Sequence, residues 1–433
     1  MADGIHLSRA AIQASQLEQL RSLVAELFPG NAFYSQKLSA VGITFDIASL
    51  EDFSLRFPFT TKSELVENQR VHAPYGTNLT YPLERYSRFN QTSGTTGTPL
   101  RWLDTPDSWD WMLDNWAEIY HAAGVTPADR IYFAFSFGPF LGFWTAFESA
   151  TRMGALCIPG GGMSSAARMR AIIDNGATVL CCTPTYAIRL AEVAAQEQID
   201  LSKAKVKTVI VAGEPGGSIP AIRARLAELW SGARIFDHHG MTEVGPVTYE
   251  CPKQPGALHV IESSYYAEII DPTSGKAIAP SETGELILTT LGRIGSPLLR
   301  YRTGDLVKRP VRVATCACGR NELVLEGGIL GRTDDMIVVR GVNVYPSAVE
   351  EIIRAADGVA EYQVQVSTNQ ALTELSIQIE PRADCRDLAT LVELLEKSFQ
   401  ASFSLRVPVT MVPCGTLPRF EMKANRWVRG VTG

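Results

Sequence analysis

Residues 91–100 read QTSGTTGTPL. Gly94 and Gly97 stand among Ser93, Thr95 and Thr96, so the backbone N–H groups and hydroxyls of one loop can converge on a single anion. The same composition also makes an ordinary surface linker, and the loop gains meaning only from what accompanies it. Three further stretches are chemically loaded. VAGEPGG (211–217) sets Glu214 between Gly213 and Pro215. IFDHHGMTE (235–243) strings Asp237, His238, His239 and Gly240 ahead of Met241, Thr242 and Glu243. RYRTGDL (300–306) places Asp305 after a glycine turn. Strand-end turns collect Gly, Asp and Glu for structural reasons alone. Taken together, an anion loop, a hydroxyl beside a carboxylate that can face Mg2+, and a carboxylate for two ribose hydroxyls are what a nucleoside triphosphate requires.

The elements that must position these residues follow from periodicity. Residues 8–70 read as mostly helical, with Thr61 and Glu64 at capping-box spacing. From about 130 to 245, strand-like IYFAFSF, ALCIPG, ATVLCCTP, VKTVIVAG and ARIFDHHG alternate with helical FWTAFESATRMG, ARMRAIIDNG, YAIRLAEVAAQEQ and IPAIRARLAELW. That alternation predicts an α/β fold with a parallel sheet and helices on its faces. Ligands of such sheets gather at the carboxyl ends of the strands, where the loaded loops fall. Residues of about 250–330 turn β-rich, and roughly 336–433 form a small α+β unit. The expected architecture is a large N-terminal domain with a β-rich subdomain, followed by a small C-terminal domain.

Bulk properties exclude several classes. A chain of 433 residues with 45% hydrophobic and 20% charged content is a folded protein of two to three domains. The net charge of −6 speaks against a nucleic-acid or anionic-membrane partner. The N-terminus, MADGIHLSRAAIQ, lacks a basic region followed by an apolar core. The uncharged run Ile131 to Phe147 is short for a membrane span, is broken at Gly138-Pro139 and runs into Glu148. A cytoplasmic location is expected. Eight unevenly spaced cysteines do not make a disulfide framework. Cys316 and Cys318, with Cys251 and His259 upstream, are instead candidates for a tetrahedral structural Zn2+ site, the alternative being free thiols. Four protein ligands would leave no open position, so catalytic zinc is not expected. Cys157, Cys181 and Cys182 read as core.

TSGTTGTP, HGMTE, YRTGDL, GRTDDMIVVRGVNVYPSAVE and LPRFEMKANR, in that order, resemble the motif series of the adenylate-forming acyl-CoA synthetase superfamily. FYSQKL, FPFTTKSEL (57–65), CACGR (316–320) and GVNVYPS (341–347) are similar to its phenylacetate–CoA ligase branch. The resemblance implies ATP, Mg2+ and CoA as reactants and cofactors. Ser93, Gly94, Thr95, Thr96 and Gly97 would cradle the β- and γ-phosphates, although Thr98 stands where the superfamily usually has lysine. Thr242 and Glu243 match the pair associated with phosphate and Mg2+. Asp305 matches the ribose-binding aspartate, and Arg332 a second nucleotide contact. Gly213, Glu214, Pro215, Asp237, His238, His239 and Gly240 would line the adenine site, His239 replacing a usual tyrosine. Lys423 resembles the lysine that bridges the carboxylate and the α-phosphate, so its loss should damage adenylation and spare thioester formation. Asp334 matches the hinge about which the small domain rotates between half-reactions, dividing the chain at 1–332 and 333–433. That rotation would bring the 339–345 loop to the site, with Gly341 letting a pantetheine arm pass.

The segment FAFSFGPFLGFW (133–144) falls where the superfamily builds its acyl pocket. Phe135, Phe137, Gly138 and Phe140, with Met241, would line it, and Phe143 and Trp144 lie in the same run. No carboxylate there meets an α-ammonium group, which favours an aromatic acid over an amino acid. The expected activity is ATP-dependent conversion of a substituted benzoate or phenylacetate to its acyl-adenylate and then its CoA thioester. Transfer to a carrier-protein thiol and a nucleotide-binding regulator without activity are the alternatives, and a homodimer stays open.

Overall fold

The structure is a computed structural model and describes residues 7–429 apart from 44–45, 93–98, 312–314, 336, 341, 370–371, 386 and 421–423. The chain opens with four helices, α1 (Arg9–Gly30), α2 (Ala32–Ala40), α3 (Leu50–Arg56) and α4 (Lys62–Val71). Each starts at a residue whose side-chain oxygen accepts an otherwise orphaned N–H: Ser8, Asn31, Ser49 and Thr61. At α4 the reciprocal bond from Glu64 completes the expected capping box. An antiparallel pair, β1 (Arg88–Gln91) and β2 (Arg101–Asp104), sets Gln91 opposite Arg101, so residues 92–100 connect them. Helix α5 (Pro106–Ala123) follows.

The central layer is a five-stranded parallel sheet in the order β4-β3-β5-β6-β7. Its strands are β3 (Arg130–Phe133), β4 (Leu156–Pro159), β5 (Val179–Cys182), β6 (Thr208–Val211) and β7 (Arg234–Asp237). Between them run α6 (Trp144–Met153), α7 (Ser165–Asp174), α8 (Pro184–Gln196) and α9 (Pro220–Leu229). Side chains alternate between two cores. Ile131, Phe133, Cys181, Ile210 and Phe236 enter one, while Tyr132, Leu180, Cys182, Val209, Val211 and Ile235 enter the other. A sheet buried on both faces needs such continuous apolar strands. The strand expected over IYFAFSF ends at Phe133; residues 134–143, which include Gly138-Pro139, leave the ladder before α6 begins.

The β-rich part begins with a hairpin of β8 (Gly240–Met241) and β9 (Gly245–Pro246). Strands β10 (Thr248–Glu250), β11 (Ala257–Val260) and β15 (Val324–Glu326) form a three-stranded sheet. A four-stranded sheet takes the order β12 (Tyr265–Ile270), β13 (Thr283–Thr290), β14 (Tyr301–Lys308), β16 (Gly331–Arg332). The C-terminal unit starts with the pair β17 (Ile337–Val339) and β18 (Val342–Val344) and helix α10 (Pro346–Ala355). Its sheet takes the order β21-β20-β19-β22, from β19 (Val359–Asn369), β20 (Leu372–Pro381), β21 (Val409–Met411) and β22 (Trp427–Arg429), packed by α11 (Leu388–Phe403). This unit has its own core of Val349, Ile353, Val364, Ile377, Leu395 and Phe399. Among the described residues, no helix is long and apolar enough to cross a membrane.

Candidate active site

Loops after β6 and β7 meet at the carboxyl edge of the sheet. Asp237, the last residue of β7, accepts from Ser218 Oγ at 2.5 Å and from His238 N at 3.0 Å. Gly217 packs so closely here that a Cβ would fall 2.2 Å from Asp237 Oδ1. Burial pushes the Asp237 carboxyl up to about 7; the Ser218 hydroxyl opposes that rise and the nearby Glu250 adds to it. Gly213 and Pro215 lie exposed on the loop after β6. His238 turns its ring into the core, 4.5 Å from Trp116 between ring centroids, with Nδ1 3.1 Å from Thr248 O. Burial lowers its pKa to about 3, so it is a neutral core histidine. Its imidazole is therefore taken up by core packing.

His239 points the other way. Its Nε2 lies 2.8 Å from Asp305 Oδ2, and its backbone N–H donates to Thr248 Oγ1 at 2.9 Å. Antiparallel pairing of β14 with β16 sets Asp305 directly across from Arg332. Arg332 Nη1 donates to Asp305 Oδ1 at 3.0 Å, while its Nε and Nη2 reach the two oxygens of Asp334 at 2.8 and 3.1 Å. One guanidinium thus spans the expected ribose carboxylate and the expected hinge.

The β8–β9 hairpin has a three-residue loop, 242–244, closed by Gly245 at φ +88, the left-handed residue that such a loop requires. It presents Thr242 half-buried and Glu243 buried. Glu243 Oε1 accepts from the Tyr301 hydroxyl at 3.4 Å and lies 3.1 Å from Lys62 Nζ. The loop backbone is gripped by Arg293. Its Nη1 donates to Thr242 O at 2.8 Å and Glu243 O at 2.9 Å. Its Nε and Nη2 bind the Asp104 carboxylate at 2.6 and 2.7 Å, with both side chains 0% exposed. The guanidinium also lies 5.2 Å from the Trp102 ring. Removing either partner of such a buried, fully bonded pair typically costs about 3–5 kcal/mol, because the other charge is left unpaired. Sequence reasoning missed Arg293, Asp104 and Lys62. Lys62 had a signal, since it lies in FPFTTKSEL; the other two sit in unremarkable contexts.

The aromatic run beyond β3 forms a cluster of tilted and edge-on rings rather than a strand. Phe135 lies 4.5 Å from Phe137 and 5.1 Å from Phe143, and Phe137 lies 4.7 Å from Trp144. Trp144 Nε1 donates to Gly138 O at 2.9 Å. Phe135, Phe137 and Met241 are partly buried against the same core. Phe140 is half-buried, and Phe143 belongs to the core itself.

The C-terminal unit reaches the same edge. Glu214 Oε1 accepts from Thr185 N, in the first turn of α8, at 2.8 Å; its Oε2 accepts from Ala424 N at 3.0 Å. Arg426 adds a contact to Thr185 Oγ1 at 3.4 Å and binds Glu361 at 2.6 and 3.2 Å. Glu214 was expected at the adenine; its carboxylate here joins the two parts of the chain. Ser93, Gly94, Thr95, Thr96, Gly97, Thr98, Gly341 and Lys423 lie outside the described residues, so their expected roles are not located.

Away from this edge, Cys251, His259, Cys316 and Cys318 bring their ligand atoms within 4.8 Å of one another. Cys251 Sγ lies 3.5 Å from Cys316 Sγ, and Cys318 Sγ 3.4 Å from His259 Nε2. A tetrahedral ion with bonds of about 2.3 Å to sulfur has ligand–ligand edges of roughly 3.7 Å, so the set fits zinc in donor type and size. Burial lowers His259 to about 4, leaving a neutral imidazole able to ligate.

Residues 89–292 match the family "AMP-binding enzyme" and residues 341–429 its "AMP-binding enzyme C-terminal domain". Phenylacetate-coenzyme A ligase of Escherichia coli strain K12 is 32% identical over 96% of this chain and 94% of its own. The Thermus thermophilus ligase of the same name is 31% identical over 96% and 95%. Among solved structures, 2-hydroxyisobutyryl-CoA ligase in its postadenylation state superposes with a TM-score of 0.92 at 27% identity, covering 98% of this chain and 91% of that one. The same ligase in its thioesterification state gives 0.74, at 27% identity with 99% and 93% coverage. The arrangement of this chain is thus more similar to that ligase's postadenylation structure than to its thioesterification structure.

Proposed function

The chain belongs to the adenylate-forming AMP-binding enzymes, in their phenylacetate–CoA ligase-like branch, and from that premise we propose that its acid is aromatic, a substituted benzoate or phenylacetate. As an AMP-forming CoA ligase it uses ATP to convert a carboxylate to an acyl-adenylate and then to a CoA thioester. In the first half-reaction a carboxylate oxygen bonds to the α-phosphorus and the bond to the β-phosphate bridge breaks, releasing pyrophosphate. In the second, the CoA thiol attacks the acyl carbonyl and AMP leaves.

The observation that carries the aromatic reading is the cluster of tilted rings formed by Phe135, Phe137 and Phe143, with Met241 packed against the same core. Flat apolar walls suit a flat apolar acid, and ring faces and edges add about 0.5–1.5 kcal/mol per aromatic pair. Asp305, steadied by His239 and Arg332, takes the ribose hydroxyls in this reading. Glu243 and Thr242 face the phosphates and hold Mg2+: a buried carboxylate beside a hydroxyl offers the hard oxygen donors this ion takes. When bound, Mg2+ supplies charge neutralisation at the phosphate oxygens. Lys423 bridges the carboxylate and the α-phosphate, where two anions must meet. Asp334 is the hinge that divides the domains at 332/333. The Cys251, His259, Cys316 and Cys318 set holds structural zinc.

The test is pyrophosphate release with Mg–ATP over a panel of aryl and aliphatic acids, with and without CoA, products identified by mass. Aryl-CoA formed in step with pyrophosphate is the expected result. Turnover confined to aliphatic acids would overturn the aromatic reading, and adenylate untouched by CoA would point to another acceptor.

A further inference from the structure

From Gln91 to Leu100 the chain contains no lysine, arginine or histidine. Among the described residues, the arginines near Glu243 are already paired with carboxylates. Arg293 binds Asp104, Arg300 binds Glu268, Arg302 binds Glu285, and Arg332 is shared by Asp305 and Asp334. A triphosphate docking beside Glu243 brings several more negative charges next to a buried carboxylate.

Lys62 is differently placed. The N–H of Thr60 donates to Arg300 O at 3.0 Å, and its carbonyl accepts from Arg302 N at 2.9 Å, bridging the chain to β14 beside Tyr301. That bridge delivers the first residue of α4 over the β8–β9 turn, with Lys62 Nζ 3.1 Å from Glu243 Oε1. The two halves of the pair differ in exposure: the carboxylate side chain is 5% exposed and the lysine 46%. A fixed, buried anion is thus covered by a cation on a flexible stem at the open side. Lysine suits such a place, since its ammonium swings as a compact charge with three donors. The ammonium already stands largely in water and is not locked by burial, so it is available to a stronger anion.

We propose that Lys62 is a phosphate-binding residue: it neutralises Glu243 in the nucleotide-free enzyme and turns to the β- and γ-phosphate oxygens when Mg–ATP enters. The inference rests on the assignment of Glu243 to the phosphate and metal end of the site. No bond is made or broken by Lys62; it offsets charge on the triphosphate and on the departing pyrophosphate.

The experiment separates phosphate contact from scaffolding. Calorimetry compares AMP, which lacks the β- and γ-phosphates, with an ATP analogue carrying methylene at the α,β-bridge, for wild type, Lys62→Met, Lys62→Gln and Lys62→Arg. Lys62→Met should weaken the Mg-bound analogue tenfold or more and leave AMP within twofold, and Lys62→Arg should recover most of the loss. Thioester formation from a supplied aryl-adenylate and CoA should stay within twofold. Equal losses for both nucleotides would make Lys62 a prop for the Glu243 turn and overturn the proposal, as would an unchanged analogue affinity. Should Lys62→Met fail to fold, Lys62→Gln carries the same comparison. A wild type that binds neither nucleotide would overturn the assignment of the site itself, and Lys62 with it.

Discussion

Asp237 ends β7 inside the protein, and its carboxyl is held up to about 7 mainly by burial. The unfolded chain releases that proton near 3.9. Between these values the folded state keeps a proton that the unfolded state has lost, so stability falls as pH rises from about 4 to 7 and then levels. Asp237→Asn keeps an acceptor for the His238 N–H and sets its NH2 against Ser218 Oγ, which then accepts instead of donating. It should remove this slope: urea midpoints of the variant, relative to wild type, should rise from pH 4.5 to pH 7.5. A constant difference across that range would show that Asp237 titrates as an ordinary exposed carboxyl. At this scale the sequence was informative where one residue type in one turn carries the meaning. Asp305 after its glycine turn and Glu243 in HGMTE were both legible. Arg293 and Asp104 were not, because their pairing joins residues 189 positions apart and neither neighbourhood shows a spacing that announces a partner. The resemblance singled out His239 as the residue replacing a tyrosine, but only packing shows that His238 turns to Trp116 and His239 to Asp305.

Elements came through where periodicity and caps agree. Every helix and strand expected between 130 and 245 is present, although β3 is shorter than its apolar run because residues 134–143 leave the ladder. In the β-rich part the sequence indicated strands without their order. Strands β10, β11 and β15 are short, and β15 joins the other two from more than 60 residues further along the chain. The Cys/His set lies at their ends: Cys251 follows β10, His259 lies in β11, and Cys316 and Cys318 belong to the loop leading toward β15. An ion bound there would cross-link this small sheet at a point where short ladders hold little. Purified protein should therefore carry one zinc per chain, and Cys316→Ser or a strong chelator should lower Tm by several degrees. Metal-free protein with an unaltered Tm would return these residues to the role of free thiols.

For the molecule as a whole, the sequence indicated two parts and their order but not how they meet. That geometry depends on contacts such as Glu214 with Ala424 and Arg426 with Thr185, each between residues more than 200 positions apart. Glu214 is the acceptor that holds Ala424, next in the chain to Lys423, against the first turn of α8. Glu214→Ala should slow adenylation tenfold or more while leaving thioester formation from a supplied adenylate within twofold, as measured by single-turnover kinetics of each half-reaction. Equal effects on both would assign Glu214 to the nucleotide rather than to docking. A different consequence follows from residues 134–143. This segment bears the ring cluster yet belongs to no ladder or helix, whereas the residues proposed to face the nucleotide are tied into strands and a buried ion pair. Side chains there can be exchanged without shifting a strand register or unpairing a charge. The segment proposed to choose the acid is thereby free to diverge at a pace that the residues proposed to activate it cannot follow.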